Sequence, residues 1–287
     1  MGTSGSFGGS KSGLVPSWVD DPPAAPVAAP EGGEPVDGNG GADGDDSGNG
    51  VAPSAYPPLQ PTPVGSELGV ARGSLTRGAR TSDGRAIRRG AGRYVSASGG
   101  GRGASRRMSS SRAAAGGIAG LAHNFVTQGP AEALRPFNLE GLAGAPAVDV
   151  FVALTDALCP PGGTIDEAIA RDAMLETIAA LAAEGVGNFD DMTPSDLQEF
   201  FIGVVSRSIE GKILNEVGTN SIRVSPDLAS VERMQRMLHD FVDGCVRDRF
   251  EATGSNLADV SGQQIDDFVS DLYEAAFDLM QALGEAS

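Results

Sequence analysis

The sequence has few of the residues that build covalent, metal or redox sites. It holds two cysteines, Cys159 and Cys245, and two histidines, His123 and His239. Two cysteines on separate predicted helices form no disulfide framework, and they fit a reducing compartment. Neither histidine stands at metal-ligand spacing from a cysteine or a carboxylate, so no metal site is expected. We interpret both cysteines as structural residues and His239 as a residue of a helix surface.

The sequence also lacks long apolar runs and the common catalytic motifs. No apolar run is long enough to predict a membrane span, and the N-terminus has no apolar segment of a secretory signal. Neither GxxxxGKS/T nor GxSxG occurs, and the Gly-rich stretch at 99–105 follows no strand, as a dinucleotide loop would. The acidic pairs at 190–191 and 266–267 stand where acids favour a helix dipole. We therefore expect a cytoplasmic protein that is not an enzyme.

Charge divides the chain into three segments. Residues 1–71 hold one base and nine acids, residues 72–112 hold eleven arginines and one acid, and residues 113–287 hold nine bases and twenty-eight acids. The three net charges of −8, +10 and −19 account for the −17 of the whole chain. We interpret residues 1–71 as a disordered acidic Gly/Pro-rich arm, residues 72–112 as a basic Arg/Gly-rich linker, and residues 113–287 as an acidic α-helical domain.

Apolar residues recur at spacings of three and four through most of the last segment, which predicts helices. The predicted helices cover 104–126, 147–158, 164–185, 193–218, 225–251 and the residues from 261 onward. No stretch shows the period of two that is typical of a strand. The sequence therefore predicts an all-α protein, an irregular bundle of about five to six helices preceded by a long disordered Gly/Pro/Arg-rich N-terminal arm.

The stretch at 193–218 is the predicted centre of the bundle. Its apolar residues cover more than half of the helical circumference, so this helix needs neighbours on several sides. Thr193 suits the N-cap position, and Gly218 is placed to end the helix in a left-handed conformation. Gly203 and Gly211 lower the helix propensity, so we expect them to let another helix approach closely.

The Arg/Gly segment at 72–112 supports two interpretations. In one, it binds nucleic acid, with arginines on phosphates and Tyr94 free to stack on a base. The candidate phosphate-binding residues are Arg85, Arg88, Arg89, Arg93, Arg102, Arg106 and Arg107. In the other, it is a solvated linker that meets the acidic domain or an acidic face of a partner. Nucleic-acid binding is the alternative function, because aromatic residues are sparse here and the adjacent acidic segment repels phosphate.

The N-terminus carries the most distinctive chemical group of the sequence. Its small second residue predicts that Met1 is removed and that Gly2 presents a free α-amine, an unhindered nucleophile with a pKa of about 8. A flexible arm can deliver this amine to the active site of another enzyme. The same residues fit an N-myristoylation pattern. That pattern is disfavoured, because the composition is typical of a high-GC bacterial gene and bacteria lack the modification.

A small apolar island follows in the arm, in the sequence LVPSWV at residues 14–19, and it holds the chain's only tryptophan. One interpretation is a short linear motif that docks on a partner through Leu14, Val15, Pro16 and Trp18. The other is an incidental aromatic residue in a disordered arm. The residues alone leave both open.

Several stretches together resemble the QatB family, the accessory proteins of the bacterial four-gene Qat (QatABCD) anti-phage system. They are residues 1–4 (MGTS), 14–21 (LVPSWVDD) with the Pro-rich acidic stretch after them, 106–108 (RRM) with the Ala/Gly run that follows, and 156–162 (DALCPPG). The first 21 residues are the most specific part, whereas the C-terminal helices match only in kind. Ser17 stands where proline is expected, and Cys159 stands where members tend to have an aliphatic residue.

The resemblance implies a non-catalytic protein that acts with a P-loop ATPase (QatA), a QueC-like protein (QatC) and a TatD-like nuclease (QatD). QueC-like proteins of defence operons resemble enzymes that join a deazaguanine base to the N-terminal glycine of a partner protein. By this resemblance Gly2 is the modified residue and carries a covalent 7-deazaguanine adduct, with no other cofactor. Thr3, Ser4 and the following arm are then the part that QatC binds.

Overall fold

The computed structural model describes residues 65–160, 163–218, 228–254, 256–260, 262 and 264–287. These residues form ten α-helices and no strand, with one isolated antiparallel bridge between Pro146 and Asn188. The helices are α1 Gly65–Thr81, α2 Gly84–Ala97, α3 Gly100–Arg106, α4 Ser109–Gln128, α5 Pro130–Leu134, α6 Ala147–Leu158, α7 Ile165–Glu184, α8 Pro194–Ile213, α9 Leu228–Ala252 and α10 Ile265–Glu285. The predicted all-α class is confirmed, but the helices are more numerous than the predicted five to six.

Helix α8 is the centre of the fold, as the sequence predicts. It packs against α4, α7 and α9. Every residue from 200 to 206 is buried, and this run spans about two helical turns. The helix is therefore enclosed on all sides. Its buried apolar side chains are Leu197, Phe200, Phe201, Ile202, Val204, Val205, Ile209 and Ile213.

The two ends of α8 differ in how well the sequence predicts them. Thr193 Oγ1 accepts the N–H of Asp196 at 3.2 Å, and the Asp196 carboxylate accepts the N–H of Thr193 at 2.7 Å, which confirms the predicted N-cap. The prediction that Gly218 adopts a left-handed conformation is wrong, because its φ is negative. After Ile213 the helix continues instead as a π-helical turn, Leu214–Gly218. The wider turn keeps Val217 in the core, where it is 1% exposed.

Two glycines bring α7 and α8 into close contact. A Cβ added at Gly203 would lie 2.9 Å from Thr177 Cγ2, and one added at Gly211 would lie 3.2 Å from Ile169 Cγ2. Both contacts are tighter than ordinary van der Waals packing, and both partners belong to α7. The predicted role of these glycines is confirmed, since a side chain at either position would push the helices apart.

Residues 72–112 are not a linker, so the predicted boundary at residue 113 requires correction. They form most of α1, all of α2 and α3, and the first turn of α4. Ile87, Ala91, Tyr94 and Val95 are fully buried, and they belong to the same hydrophobic core as α8. The helical fold also begins at residue 65, inside the segment that composition predicted to be a disordered arm. The rest of that arm, residues 1–64, lies outside the described residues.

The high glycine content of this segment reflects close packing of helices, although such a composition is typical of flexible sequence. A Cβ at Gly78 would lie 2.3 Å from Ile87 Cδ1, and a Cβ at Gly90 would lie 2.7 Å from Leu75 Cγ, so these glycines bring α1 and α2 together. A Cβ at Gly92 would lie 2.9 Å from the Cα of Gly284, where α2 crosses α10. The glycines that suggested flexibility are therefore points of contact between helices.

Candidate functional site

The predicted N-terminal site cannot be placed on this fold. Its residues are Gly2, Thr3, Ser4, Leu14, Val15, Pro16 and Trp18, and all of them lie outside the described residues. Gly2 as a modification site, and the apolar island as a docking motif, remain predictions from the sequence.

The seven predicted phosphate-binding arginines separate into two groups. Four of them are tied to the rest of the domain. Arg89 Nη2 donates to Ser287 O at 2.6 Å, and Arg88 Nε donates to Ser287 Oγ at 3.4 Å. Arg102 Nε lies 3.3 Å from Glu274 Oε1, although its side chain is still 68% exposed. Arg107 is only 11% exposed and faces Glu216.

The remaining three, Arg85, Arg93 and Arg106, are exposed, and Arg106 also has an interaction partner. Arg85, Arg89 and Arg93 follow one another at spacings of four, which places them in a row along one face of α2. Tyr94 belongs to the opposite face and is fully buried. The predicted stacking role of Tyr94 is therefore wrong, because its ring is part of the core.

A cleft of about 340 Å³ lies along the arginine row of α2. Arg89, Arg93 and Ser96 line it from α2, Glu67 and Val70 from α1, and Gly284 and Glu285 from α10. Arg77 and Arg80 of α1 line a separate groove with Arg72 and Thr76. They are exposed at a spacing of three, and the set of seven did not include them. Their spacing of three is typical of a helix surface, but it was not interpreted in this way because the segment was predicted to be a linker.

A charged cluster is buried where α2 and the residues after α3 meet the end of α8. Glu216 Oε1 lies 3.3 Å from Lys212 Nζ, and Glu216 Oε2 lies 3.3 Å from Arg107 Nη2. Lys212 and Arg107 are 10% and 11% exposed, so one carboxylate faces two buried cations. The Tyr94 hydroxyl is buried nearby without a hydrogen-bond partner, and burial together with Glu216 raises its pKa above the usual range.

Beside this charged cluster, a hydrogen bond connects α1 to the π-helical turn. Arg72 Nε donates to the carbonyl of Val217 at 3.1 Å. Arg107 Nη2 also donates to Ser98 Oγ, at the end of α2. Arginines of the basic segment thus hold α1 and α2 on the central helix. Sequence periodicity gave no signal of this, because Arg72 and Arg107 resemble the exposed arginines beside them.

The two cysteines are buried and remain in the thiol form near neutral pH. Burial raises the pKa of Cys245 to about 12 and also raises the pKa of Cys159. A thiolate is the nucleophilic form of cysteine, so neither environment activates its thiol. Within the described ranges, no three His, Cys, Asp or Glu side chains are grouped so that they could hold a metal ion. None of the described helices is both long and apolar enough to cross a lipid bilayer.

Both histidines connect helices to their neighbours. His123 Nδ1 lies 2.7 Å from the carbonyl of Ala258, and His239 Nδ1 lies 2.9 Å from Glu210 Oε2. The hydrogen bond that the protonated His239 ring donates to the Glu210 carboxylate raises the pKa of His239, and burial opposes this rise. His239 is 30% exposed, which agrees with its predicted place on a helix surface.

His239 also lines a polar cleft of about 200 Å³ between α7, α8 and α9. Arg247 spans part of this cleft, with Nη2 2.7 Å from Glu199 Oε2 and Nε 2.6 Å from Asp243 Oδ2. Arg207 donates only two long bonds of 3.4 Å, to Thr177 Oγ1 and to the carbonyl of Gly203. The acids here outnumber the bases, so the cleft adds to the acidic character of this side of the domain.

Comparison with known proteins identifies a family. The family model described as "QatB: Qat anti-phage system associated protein QatB" matches residues 99–280. No curated protein and no solved structure matches the chain. The matched range begins after α2, runs through α3 to α9 and includes most of α10. Because this range covers more than half of the 287 residues, the chain belongs to the QatB family of proteins associated with the Qat anti-phage system.

Proposed function

We propose that this chain is a non-catalytic interaction protein of Qat defence, whose N-terminal Gly2 is the substrate of a partner enzyme. After removal of Met1, the Gly2 amine attacks an activated carboxyl group on a deazaguanine base that the QueC-like protein QatC holds. An amide bond forms, the amine loses a proton and the activating group leaves. The observation that carries the proposal is the sequence MGTS at residues 1–4, followed by a Gly/Ser-rich leader and the LVPSWVDD stretch. Membership of the QatB family supports the defence role.

The chemistry of Gly2 suits such a reaction. An α-amine has a pKa of about 8, so a useful fraction is uncharged and nucleophilic near neutral pH. Glycine has no side chain to obstruct the approach of an electrophile. Low-complexity sequence surrounds the residue, and such sequence can reach into the active site of another protein.

The partner recognises more than one residue in this proposal. Thr3 and Ser4 offer hydroxyl groups next to the reacting amine, and residues 14–19 offer an apolar island with a tryptophan. Tryptophan is among the residues that most often dominate binding energy at protein interfaces. QatC therefore binds both the terminus and the island. The ATPase QatA and the nuclease QatD are the further partners of the protein in the defence system.

A plaque assay with variants of the arm tests this function. Gly2→Pro replaces the primary amine with a hindered secondary amine, and we expect it to abolish phage protection. Gly8→Ala is the matched control in the same leader and should retain protection. Circular dichroism should show the same helical content in both variants. Full protection by folded Gly2→Pro protein would contradict the proposal.

A further inference from the structure

The α1–α2 pair presents a group of arginines without partners. Arg77, Arg80, Arg85 and Arg93 are exposed, and in the described part of the chain they form no ion pair or side-chain hydrogen bond. Only two acids belong to these helices and the turn between them, Glu67 and Asp83. Asp83 Oδ1 accepts the N–H of Arg85 at 2.9 Å and so serves as the N-cap of α2. The two helices and their turn hold seven arginines against these two acids, so their net charge is positive.

These guanidinium groups are displayed on a fixed support. The close contacts of Gly78 and Gly90 join α1 to α2, and those of Gly92 join α2 to α10. Side chains one turn apart on a helix are about 5–6 Å apart at their Cβ atoms. A ligand that meets such a row does not have to order the backbone, which lowers the entropic cost of binding.

The residues that lie between the exposed arginines favour binding of phosphate over binding of a protein surface. The exposed and partly exposed neighbours include Gly73, Ser74, Thr76, Thr81 and Ser96, and Val70 is the one exposed large apolar residue of the two described helices. Protein interfaces have an apolar core, whereas nucleic-acid interfaces are polar and positively charged. Arginine, with its planar fork of donors, matches the oxygens of phosphate, and α1 and α2 contain no lysine.

The burial of Tyr94 favours a duplex over single-stranded nucleic acid as the ligand. Single-strand binding relies on aromatic side chains that stack on bases. Tyr94 is the only aromatic residue of α1 and α2, and it is buried. We propose that the exposed arginines of α1 and α2, Arg77, Arg80, Arg85 and Arg93, together form a binding face for the phosphate backbone of a nucleic-acid duplex, which they contact without regard to sequence.

The negative charge of the whole chain does not prevent this contact. Salt of 0.1 M screens charges beyond about 10 Å, so the local surface decides whether a phosphate is attracted. On α10, Glu285 lines the same cleft as Arg93 and accepts a hydrogen bond from Gln281 Nε2 at 3.0 Å, so it offsets part of the positive charge there. Two further acids of α10 already have partners. Asp278 accepts the N–H of Gly101 at 3.0 Å, and Glu274 pairs with Arg102. The binding face also lies outside residues 99–280, so it does not follow from the family match.

Fluorescence anisotropy with a labelled DNA duplex of mixed sequence tests the proposal. The full-length protein should bind at 50 mM KCl and weaken steeply towards 200 mM. The triple variant Arg77→Gln, Arg85→Gln, Arg93→Gln should bind at least tenfold more weakly. The slope of log K against log salt should also fall by about 0.9 for each phosphate that the variant no longer neutralises. The control variant Arg135→Gln, Arg233→Gln, Arg236→Gln removes the same charge elsewhere and should bind like the wild type.

Three outcomes would overturn the proposal. The first is a wild-type protein that does not bind the duplex at 50 mM KCl, and such a protein would point to an acidic protein as the partner of this face. The second is a triple variant with wild-type affinity and salt slope. The third is tighter binding of the corresponding single strand, which would indicate base stacking. Thermal melting of the triple variant should match the wild type, because in the described part of the chain these side chains form no ion pair or side-chain hydrogen bond.

Discussion

At the scale of single residues, the contact between Gly92 of α2 and Gly284 of α10 brings two helices together. A Cβ at Gly284 would lie 2.7 Å from the carbonyl oxygen of Arg88 and 2.8 Å from the Cα of Gly92. Both neighbours are backbone atoms, which cannot rotate away as a side chain can. The two helices therefore meet at a distance that only glycine allows.

Substitution of Gly92 tests this contact. Gly92→Ala should lower the free energy of unfolding by about 1–3 kcal/mol, the usual cost of forcing an extra group into a packed site. The added methyl group has backbone atoms within 3.2 Å and no room to move. Gly73→Ala is the control, because a Cβ there meets nothing within 4 Å and the change should be neutral or stabilising. Urea unfolding gives both values, and an equal effect of the two changes would refute the account of the crossing.

A second residue-scale feature is the carboxylate of Glu216 between two buried cations. Glu216→Gln leaves Arg107 and Lys212 buried without an opposite charge. Removal of one partner from a buried pair costs about 3–5 kcal/mol, so we expect a loss near the lower end of that range, since Glu216 is 20% exposed. Glu274→Gln makes the same chemical change opposite exposed Arg102 and should cost less than about 1 kcal/mol. Equal losses of unfolding free energy in urea would show that the cluster is not held by charge.

At the scale of elements, α8 and α9 are joined by a contact that depends on pH. His239 of α9 donates to Glu210 of α8 when its ring is protonated, and this raises the pKa of His239 in the folded protein. A raised folded-state pKa gives stability that is fully present below the unfolded value of about 6.5. This stability disappears as the pH rises through the folded-state pKa. Arg207 opposes the protonated form, and Asp243 supports it.

The difference in stability between the His239→Gln variant and the wild type should therefore shrink as the pH rises. We expect the variant to be less stable at pH 5.5 and to approach the wild type above the raised pKa of His239. Thermal or urea midpoints at several pH values measure this difference. Glu210→Gln removes the other partner and should give a similar pH trend. A difference that does not change with pH would mean that the histidine acts through packing alone.

The elements also show what a single sequence can predict. The periodicity of α6 to α10 and the capping pattern of α8 lie in the local sequence, so these helices were predicted with few errors. Helices α1 to α3 were missed, because Arg/Gly-rich sequence is typical of flexible segments. The close helix contacts that require glycine are properties of the tertiary structure. The burial of Tyr94 and Arg107 was missed for the same reason, and with it the charged cluster at Glu216.

For the molecule as a whole, the basic segment is part of the folded body. The core joins Leu75, Ile87 and Tyr94 of the first two helices to α8, α9 and α10. A protein that starts at residue 65 should therefore unfold at the same urea concentration as the full chain. A protein that starts at residue 99 should lose at least about 3 kcal/mol, since exposing each large core side chain costs about 1.5–3 kcal/mol.

Circular dichroism in urea distinguishes the two truncations, with the protein from residue 65 as the control for the protein from residue 99. Equal midpoints for both would show that α1 and α2 are accessory to the core. A large loss in the protein from residue 65 would place stabilising contacts in residues 1–64. Either result would change the division of the molecule into arm and domain.

The central claim is that the amine of Gly2 receives a base from the QueC-like partner. Its most direct test is tandem mass spectrometry of the N-terminal peptide, purified from cells with and without an active copy of that partner. We predict the loss of Met1 and the added mass of a deazaguanine base on Gly2 only when the active partner is present. An unmodified Gly2 peptide beside an active partner would contradict the claim.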